Sequence, residues 1–150
     1  MTTYAILNSA FFATKPSWMP AKLYQAICYR ANPRSEQYMI NLLAQEFPNT
    51  TIVEANAIPA DTKTIVLLYR DAIGIGYSTL EGKLIRNTKL VALTGRRRKF
   101  TLTKTQHFKL WIKRILEVTL LPELIFAPIL LVGATLLAVK DQLLGYTNDK

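Results

Sequence analysis

Apolar and polar positions along this chain follow two periods and then cease to alternate at all. Thr3 to Leu7, Thr50 to Val53, Lys89 to Leu93 and Arg98 to Leu102 are short, β-prone runs that read as strands. Thr64 to Tyr69 (Thr-Ile-Val-Leu-Leu-Tyr) is continuously apolar after its first residue, the pattern of a strand buried on both faces. Between these runs the spacing becomes helical. Pro20 suits the first turn of a helix through about Arg30, with Leu23, Tyr24 and Ile27 as its apolar stripe. Asn32-Pro33 reads as the cap and first residue of a second helix, with Glu36 near its positive end and Met39, Leu42 and Leu43 on its buried face. Phe47-Pro48-Asn49 ends it. Ala10 to Met19 reads as irregular because Pro16 and Pro20 oppose regular structure. Ser78-Thr79-Leu80-Glu81 fits a capping box opening a short helix to about Arg86. The span from Asp71 to Thr88 is long enough for a right-handed parallel crossover. Residues 1–103 are therefore expected to form a small α/β domain, three-layer-like, with a mainly parallel sheet.

From Lys104 the rhythm changes. Phe108, Trp111, Ile112 and Ile115 recur at helical spacing while Lys104, Lys109, Lys113 and Arg114 take other positions, which predicts a basic amphipathic helix over 104–117. It leads directly into Val118 to Val139, which contains thirteen Leu, Ile, Val or Phe residues. As a helix this segment is about 33 Å long, enough for a hydrocarbon core of roughly 30 Å. Those side chains favour insertion by on the order of 4 to 8 kcal/mol, against no more than about 3 kcal/mol for Glu123 near one end. A soluble core helix of that length without a polar face would be hard for so small a domain to surround. The expectation is a membrane-inserted helix over 118–139, followed by a short tail over 140–150. Pro122 and Pro128 leave two geometries open, a single span or a bent helix that enters and leaves on one side.

Charge assigns a side. The chain carries a net +9, and the eleven Lys and Arg between Lys83 and Arg114 face no Asp or Glu in that stretch, whereas the residues before Lys83 hold six of each sign. By the positive-inside rule the N-terminal domain lies in the cytoplasm, at the inner membrane, with Trp111 at headgroup level. A Lys or Arg near an anionic bilayer adds about 1 kcal/mol of attraction. One cysteine, Cys28, and one histidine, His107, exclude an intrachain disulfide and a Cys/His zinc site. Cys28 reads as a small core residue and His107 as a solvated interfacial side chain. The start has neither a basic n-region nor a long apolar run, so no signal peptide is expected. No metal site and no cofactor motif is read.

Two segments are candidates for chemistry. Arg96, Arg97, Arg98 and Lys99, extended by Lys109, Lys113 and Arg114, would bind anionic lipid or a phosphate group, because guanidinium forks match phosphate oxygens. A solvated cluster that only sets topology is the plain alternative, and nucleic acid is disfavoured so close to a membrane helix. Asp71, Gly74, Gly76 and Ser78 follow a buried strand and open a helix, where glycines let a phosphate approach backbone N–H groups. The third glycine of a dinucleotide loop falls on Thr79 and no P-loop lysine follows, so ordinary turn chemistry competes with a nucleotide site. Asp71 stands at the carboxyl end of the strand, and Glu81 is assigned to the capping box. No base or second carboxylate pairs with Asp71, so no catalytic residue is assigned.

Lys113-Arg114-Ile-Leu-Glu117, an apolar stretch interrupted at Ala127-Pro128, and Lys140-Asp141 together resemble the membrane entry of bacterial polyprenyl-phosphate glycosyl-1-phosphate transferases. The resemblance covers about 30 residues, with Glu117 in place of the family's Asp and Ala-Pro in place of its Ser-Pro. It implies a membrane domain without the catalytic core. The leading expectation is thus a membrane-anchored accessory protein in envelope polysaccharide or lipid-linked glycan synthesis. Its partners would be the lipid membrane, anionic lipid or lipid-linked phosphate, and a larger membrane protein. Two alternatives stand beside it: a nucleotide-sugar-dependent glycosyltransferase-like enzyme using the Asp71–Gly76 turn, and a small subunit of an inner-membrane complex in which Glu123 meets a partner's basic residue.

Overall fold

The computed structural model describes residues 3–143, with one compact unit up to Val118 and a second from Thr119 onward. The first unit is built on a five-stranded sheet. In chain order the strands are β1 (Thr3–Ile6), β2 (Thr50–Ile52), β3 (Thr64–Tyr69), β4 (Lys89–Thr94) and β5 (Lys99–Leu102). Their spatial order is β2-β1-β3-β4-β5, parallel except for β5, which pairs antiparallel with β4. The α/β class and mainly parallel sheet follow from the alternation of strand and helix patterns. β3 lies at the centre with Ile65 to Tyr69 fully buried, as its unbroken apolar run requires.

Among the described residues six helices accompany the strands: α1 (Ala10–Ala13), α2 (Ala21–Ala31), α3 (Glu36–Glu46), α4 (Ser78–Leu84), α5 (Lys104–Thr119) and α6 (Leu121–Leu143). The chain leaves β1 toward β2 on one side and leaves β3 toward β4 on the other. Right-handed crossovers then put α3 on one face and α4 on the other. The packing agrees. Met39, Leu42 and Leu43 of α3 meet Ala5, Val66, Leu68 and Leu93 on one face. Leu80 and Leu84 of α4 and Leu110 of α5 meet Ile6, Ile65, Leu67 and Leu90 on the other. A third cluster, Met19, Ile27 and Ile75 with Phe11, Leu23 and Val118, joins α1, α2 and α5.

Several local readings change. Ala10–Ala13 forms one helical turn inside the stretch expected to be irregular, and Met19 is 1% exposed. Asn32-Pro33 does not start α3. Asn32 adopts the left-handed conformation (φ 44°) and closes α2 through its N–H to the Cys28 carbonyl at 3.0 Å, a position Asn tolerates well. Ser35 caps α3 instead, accepting from the Tyr38 N–H. Cys28 is half-buried rather than in the core.

The turn after β3 depends on two glycines. Gly74 (φ +70°) and Gly76 (φ +91°) are left-handed, and a Cβ on Gly74 would lie 2.7 Å from the Tyr69 ring. Gly74→Ala should therefore destabilise the chain by about 1–3 kcal/mol or more. Gly82→Ala, in a helix with its nearest neighbour at 3.9 Å, should be neutral or stabilising by up to about 1 kcal/mol. Urea or thermal melts of the full chain in detergent check the contrast, and equal effects would contradict the assigned role of Gly74.

Candidate functional site

Glu81 is completely buried and Arg114 is 4% exposed, and the two form a bidentate pair. Arg114 Nη2 donates to Glu81 Oε1 at 2.6 Å and Nη1 to Oε2 at 2.8 Å. The same guanidinium also donates to Ser78 Oγ at 2.9 Å and to the Ile73 carbonyl at 2.8 Å, and it lies over the Tyr69 ring. Tyr69 donates its hydroxyl to Glu81 Oε1, and His107 Nδ1 lies 2.7 Å from Oε2. Because an ionised carboxylate only accepts, the Nδ1 position carries the proton. Burial alone would raise the Glu81 carboxyl, but Arg114's bonds and charge, with those from Tyr69 and His107, outweigh it and hold the group below the usual range. Burial, then the neighbouring Glu81, pushes the Tyr69 hydroxyl far up, so it stays protonated as a donor.

This cluster corrects three sequence readings. Glu81 does not complete a capping box: Tyr77 occupies the cap position without a side-chain bond, and Ser78 serves Arg114. His107 is not simply solvated, and Arg114 is not a surface cation grouped with Lys109 and Lys113. A buried carboxylate demands a buried partner, and Arg114 is the cation that α5 turns toward it.

The Asp71–Gly76 turn is occupied by the protein itself. Asp71 Oδ1 accepts the Gly74 N–H at 2.7 Å, and Oδ2 accepts the Ile75 N–H at 3.1 Å, so the amides expected to face a phosphate are already bonded. The usual ligand position of such a sheet is the crevice between the strands where direction reverses, here beyond β1 and β3. The Tyr77 hydroxyl fills it, donating to the Leu68 carbonyl at 2.7 Å and accepting the Asn8 N–H at 2.6 Å. Asp71 itself is 3% exposed, and burial raises its carboxyl despite those two amides. These bonds favour turn chemistry over a nucleotide cradle.

The opening lies one strand over, at the carboxyl ends of β3 and β4. Three cavities of about 90, 30 and 510 Å³ share walls there, and Arg96 lines all three. Arg30 lines the first and third, Arg34 and Arg70 line the second, and Asp71 lines the first two. The sequence reading missed these three arginines; the Arg70-Asp71 step directly after the buried strand was the available signal. Of the other basic candidates, Arg97 reaches the Tyr38 hydroxyl at 3.4 Å and Lys99 pairs with Glu46 at 2.9 Å. Arg98 is exposed on the β4–β5 turn, as Lys109 and Lys113 are on α5. The structure thus does not gather the seven basic candidates into one site.

In α5 the usual amphipathic arrangement is inverted. His107, Leu110 and Arg114 face the domain, while Phe108, Trp111, Ile112, Ile115 and Leu116 are exposed at 36–58%. Lys109 and Lys113 flank that outward apolar stripe. Leu120, with a φ of 50°, separates α5 from α6. α6 continues through Pro128 as one helix. Its 22-residue stretch Leu121–Gln142 has a mean hydropathy of 2.0 with none of its apolar window buried, so it is long and apolar enough to cross a membrane. It starts and ends later than 118–139, and the expected tail lies outside the described residues from 144 on. Thr135 Oγ1 donates to the Leu131 carbonyl at 2.8 Å, satisfying its hydroxyl within the helix.

Among the described residues no group of three or more His, Cys, Asp or Glu is placed to hold a metal ion. Compared with protein-family models, curated proteins and solved structures, the chain matches none.

Glu81 sets a pH dependence. Its carboxyl is lower in the folded than in the unfolded chain, so its stabilisation is complete above the unfolded value, about 4.3, and is lost as pH falls through the folded value. At pH 7 Glu81→Gln leaves Arg114 buried without its counter-charge and should cost about 3–5 kcal/mol. The gap between the two proteins in melting temperature should close on acidification below about pH 4. A gap independent of pH would refute the assignment.

Proposed function

We propose that this chain is a membrane-anchored accessory protein: an α/β domain held at a bilayer by α6, seated in the interface by α5, and offering basic groups to anionic lipid or lipid-linked phosphate. The observation that carries this reading is the pair of exposed apolar surfaces on successive helices. α6 is apolar around its circumference and unburied, and α5 turns an aromatic stripe flanked by lysines away from its own domain. In water both surfaces are unfavourable; at a membrane both are favourable. Trp111 and Phe108, stacked with ring centroids 6.0 Å apart, suit the headgroup region. The charge asymmetry supports an inner-membrane protein with its domain in the cytoplasm. The setting in envelope-glycan assembly rests on the resemblance over residues 113–141.

The accessory reading is favoured over a glycosyltransferase-like enzyme because the amides of the glycine turn bond to Asp71 and the switch-point crevice holds Tyr77. It also needs no catalytic pair.

Alkaline carbonate extraction with a C-terminal reporter active only outside the cytoplasm tests the anchor. We expect retention in the pellet with an active reporter. Retention with a silent reporter would replace the span by a re-entrant helix, and release into the supernatant would overturn the reading. The seating of α5 has its own test, since the chain has only two tryptophans, Trp18 and Trp111. In vesicles of brominated lipid, Trp18→Phe should leave a strongly quenched Trp111 signal, whereas Trp111→Phe should leave a weakly quenched one. Equal quenching in both would remove the interfacial role of α5.

A further inference from the structure

We infer that the crevice at the carboxyl ends of β3 and β4, walled by Arg30, Arg34, Arg70 and Arg96, is a binding site for a phosphate-bearing ligand of the diphosphate or phosphomonoester class. This deepens the phosphate-binding half of the function proposed above and is independent of the membrane anchor. Its position follows from the sheet. Ligands of open α/β sheets bind beyond the carboxyl ends of the strands. In this chain Tyr77 fills the gap between β1 and β3, which leaves the adjoining β3–β4 ends as the open part of that edge.

The walls are held in place by backbone-directed bonds. The Arg34 N–H donates to the Arg70 carbonyl at 2.8 Å, and Arg70 Nε returns a bond to the Arg34 carbonyl at 2.7 Å. These tie the α2–α3 corner to the end of β3. Gly95 admits the Arg34 stem, since a Cβ there would meet Arg34 Cγ at 2.7 Å and the Arg70 carbonyl at 2.6 Å. The β4–β5 turn then carries Arg96 into the third wall. Its hairpin is closed by the Thr94 N–H to the Arg98 carbonyl and the Arg97 N–H to the Thr94 carbonyl, each at 2.9 Å.

Charge and volume specify the ligand. Arg30 pairs with Glu117 at 3.2 Å, and Arg70 lies 3.7 Å from Glu36. Arg96 has no carboxylate partner among the described residues, although it borders every cavity of the crevice. Four guanidinium groups face the carboxylates of Asp71 and Glu117 within those walls, so the crevice is positive. Planar forks recognise phosphate and carboxylate oxygens bidentately, which a halide cannot exploit, and several forks converging on one crevice favour the more highly charged phosphate over a single carboxylate. The largest cavity, about 510 Å³, falls within the roughly 300–1,000 Å³ of small-molecule sites. It has room for a group attached to the phosphate.

The test uses the full chain in neutral detergent and two probes, inorganic pyrophosphate and a short-chain phosphatidic acid, measured by titration calorimetry. Arg96→Gln should raise the Kd by about tenfold or more, as loss of a charged hydrogen bond predicts. Arg96→Glu should abolish binding. Lys63→Gln removes the same charge at the opposite end of β3 and should leave the Kd unchanged. Arg96 is exposed, so both variants should melt like the wild type without ligand. Arg96-dependent binding of pyrophosphate assigns the site to a soluble ligand. Arg96-dependent binding of phosphatidic acid alone assigns it to a lipid headgroup. Binding of neither probe, or binding that Arg96 and Lys63 substitutions weaken equally, overturns the inference. A chain released by carbonate that still binds pyrophosphate through Arg96 would remove the anchor and leave the crevice standing.

Discussion

The buried pair between Glu81 and Arg114 is the constraint on which the first unit depends. A carboxylate with no exposure and a guanidinium nearly as buried are tolerable only when each satisfies the other and their remaining donors and acceptors are met. Tyr69 from the central strand, His107 from the same helix, and Ser78 and the Ile73 carbonyl from the following segment provide those bonds. One ion pair thereby joins β3, the turn after it, α4 and α5. It also decides which side of α5 faces out. With Arg114 and His107 directed inward, the helix has no choice but to turn Phe108, Trp111 and Ile112 away from the domain.

That rotation couples fold to proposed location. A helix packed by its apolar stripe would show lysines to solvent and leave α6 as the only membrane-directed feature. Packed through Arg114, His107 and Leu110, α5 shows an aromatic stripe immediately before a helix that is itself predominantly apolar. Breaking the pair would therefore weaken the domain and free the rotation of α5, so stability and membrane seating should be linked through one interaction.

The same economy of internal bonding separates the two candidate chemistries. At the turn after β3 the chain supplies its own partners: Asp71 takes the Gly74 and Ile75 amides, and Tyr77 bridges the ends of β1 and β3. One strand over, Arg96 borders a set of cavities and pairs directly with no carboxylate among the described residues. A polar group satisfied internally reads as structure, whereas a charge left at a cavity reads as a site.

Much of the architecture was legible in the residues. The unbroken apolar run of β3 announces a central strand, and strand and helix periods alternating around it announce an α/β sheet. The predominantly apolar composition after Val118 announces a helix suited to lipid. These conclusions depend on local period and composition, which a linear chain displays directly. The partners of individual side chains were not legible. Ser78-x-x-Glu81 satisfies a capping pattern, yet Glu81 meets a guanidinium 33 residues away. Asn32-Pro33 satisfies a helix-start pattern, yet Asn32 ends the preceding helix. Arg30, Arg34, Arg70 and Arg96 meet only when the α2–α3 corner, the end of β3 and the β4–β5 turn are brought together. The sequence by itself determined the class of fold and the presence of a helix suited to a membrane, because period and hydropathy are local properties. Only the tertiary structure decided which charges are paired, which face of α5 is exposed and where the open crevice lies, because burial makes each of those a choice among partners distant in the chain.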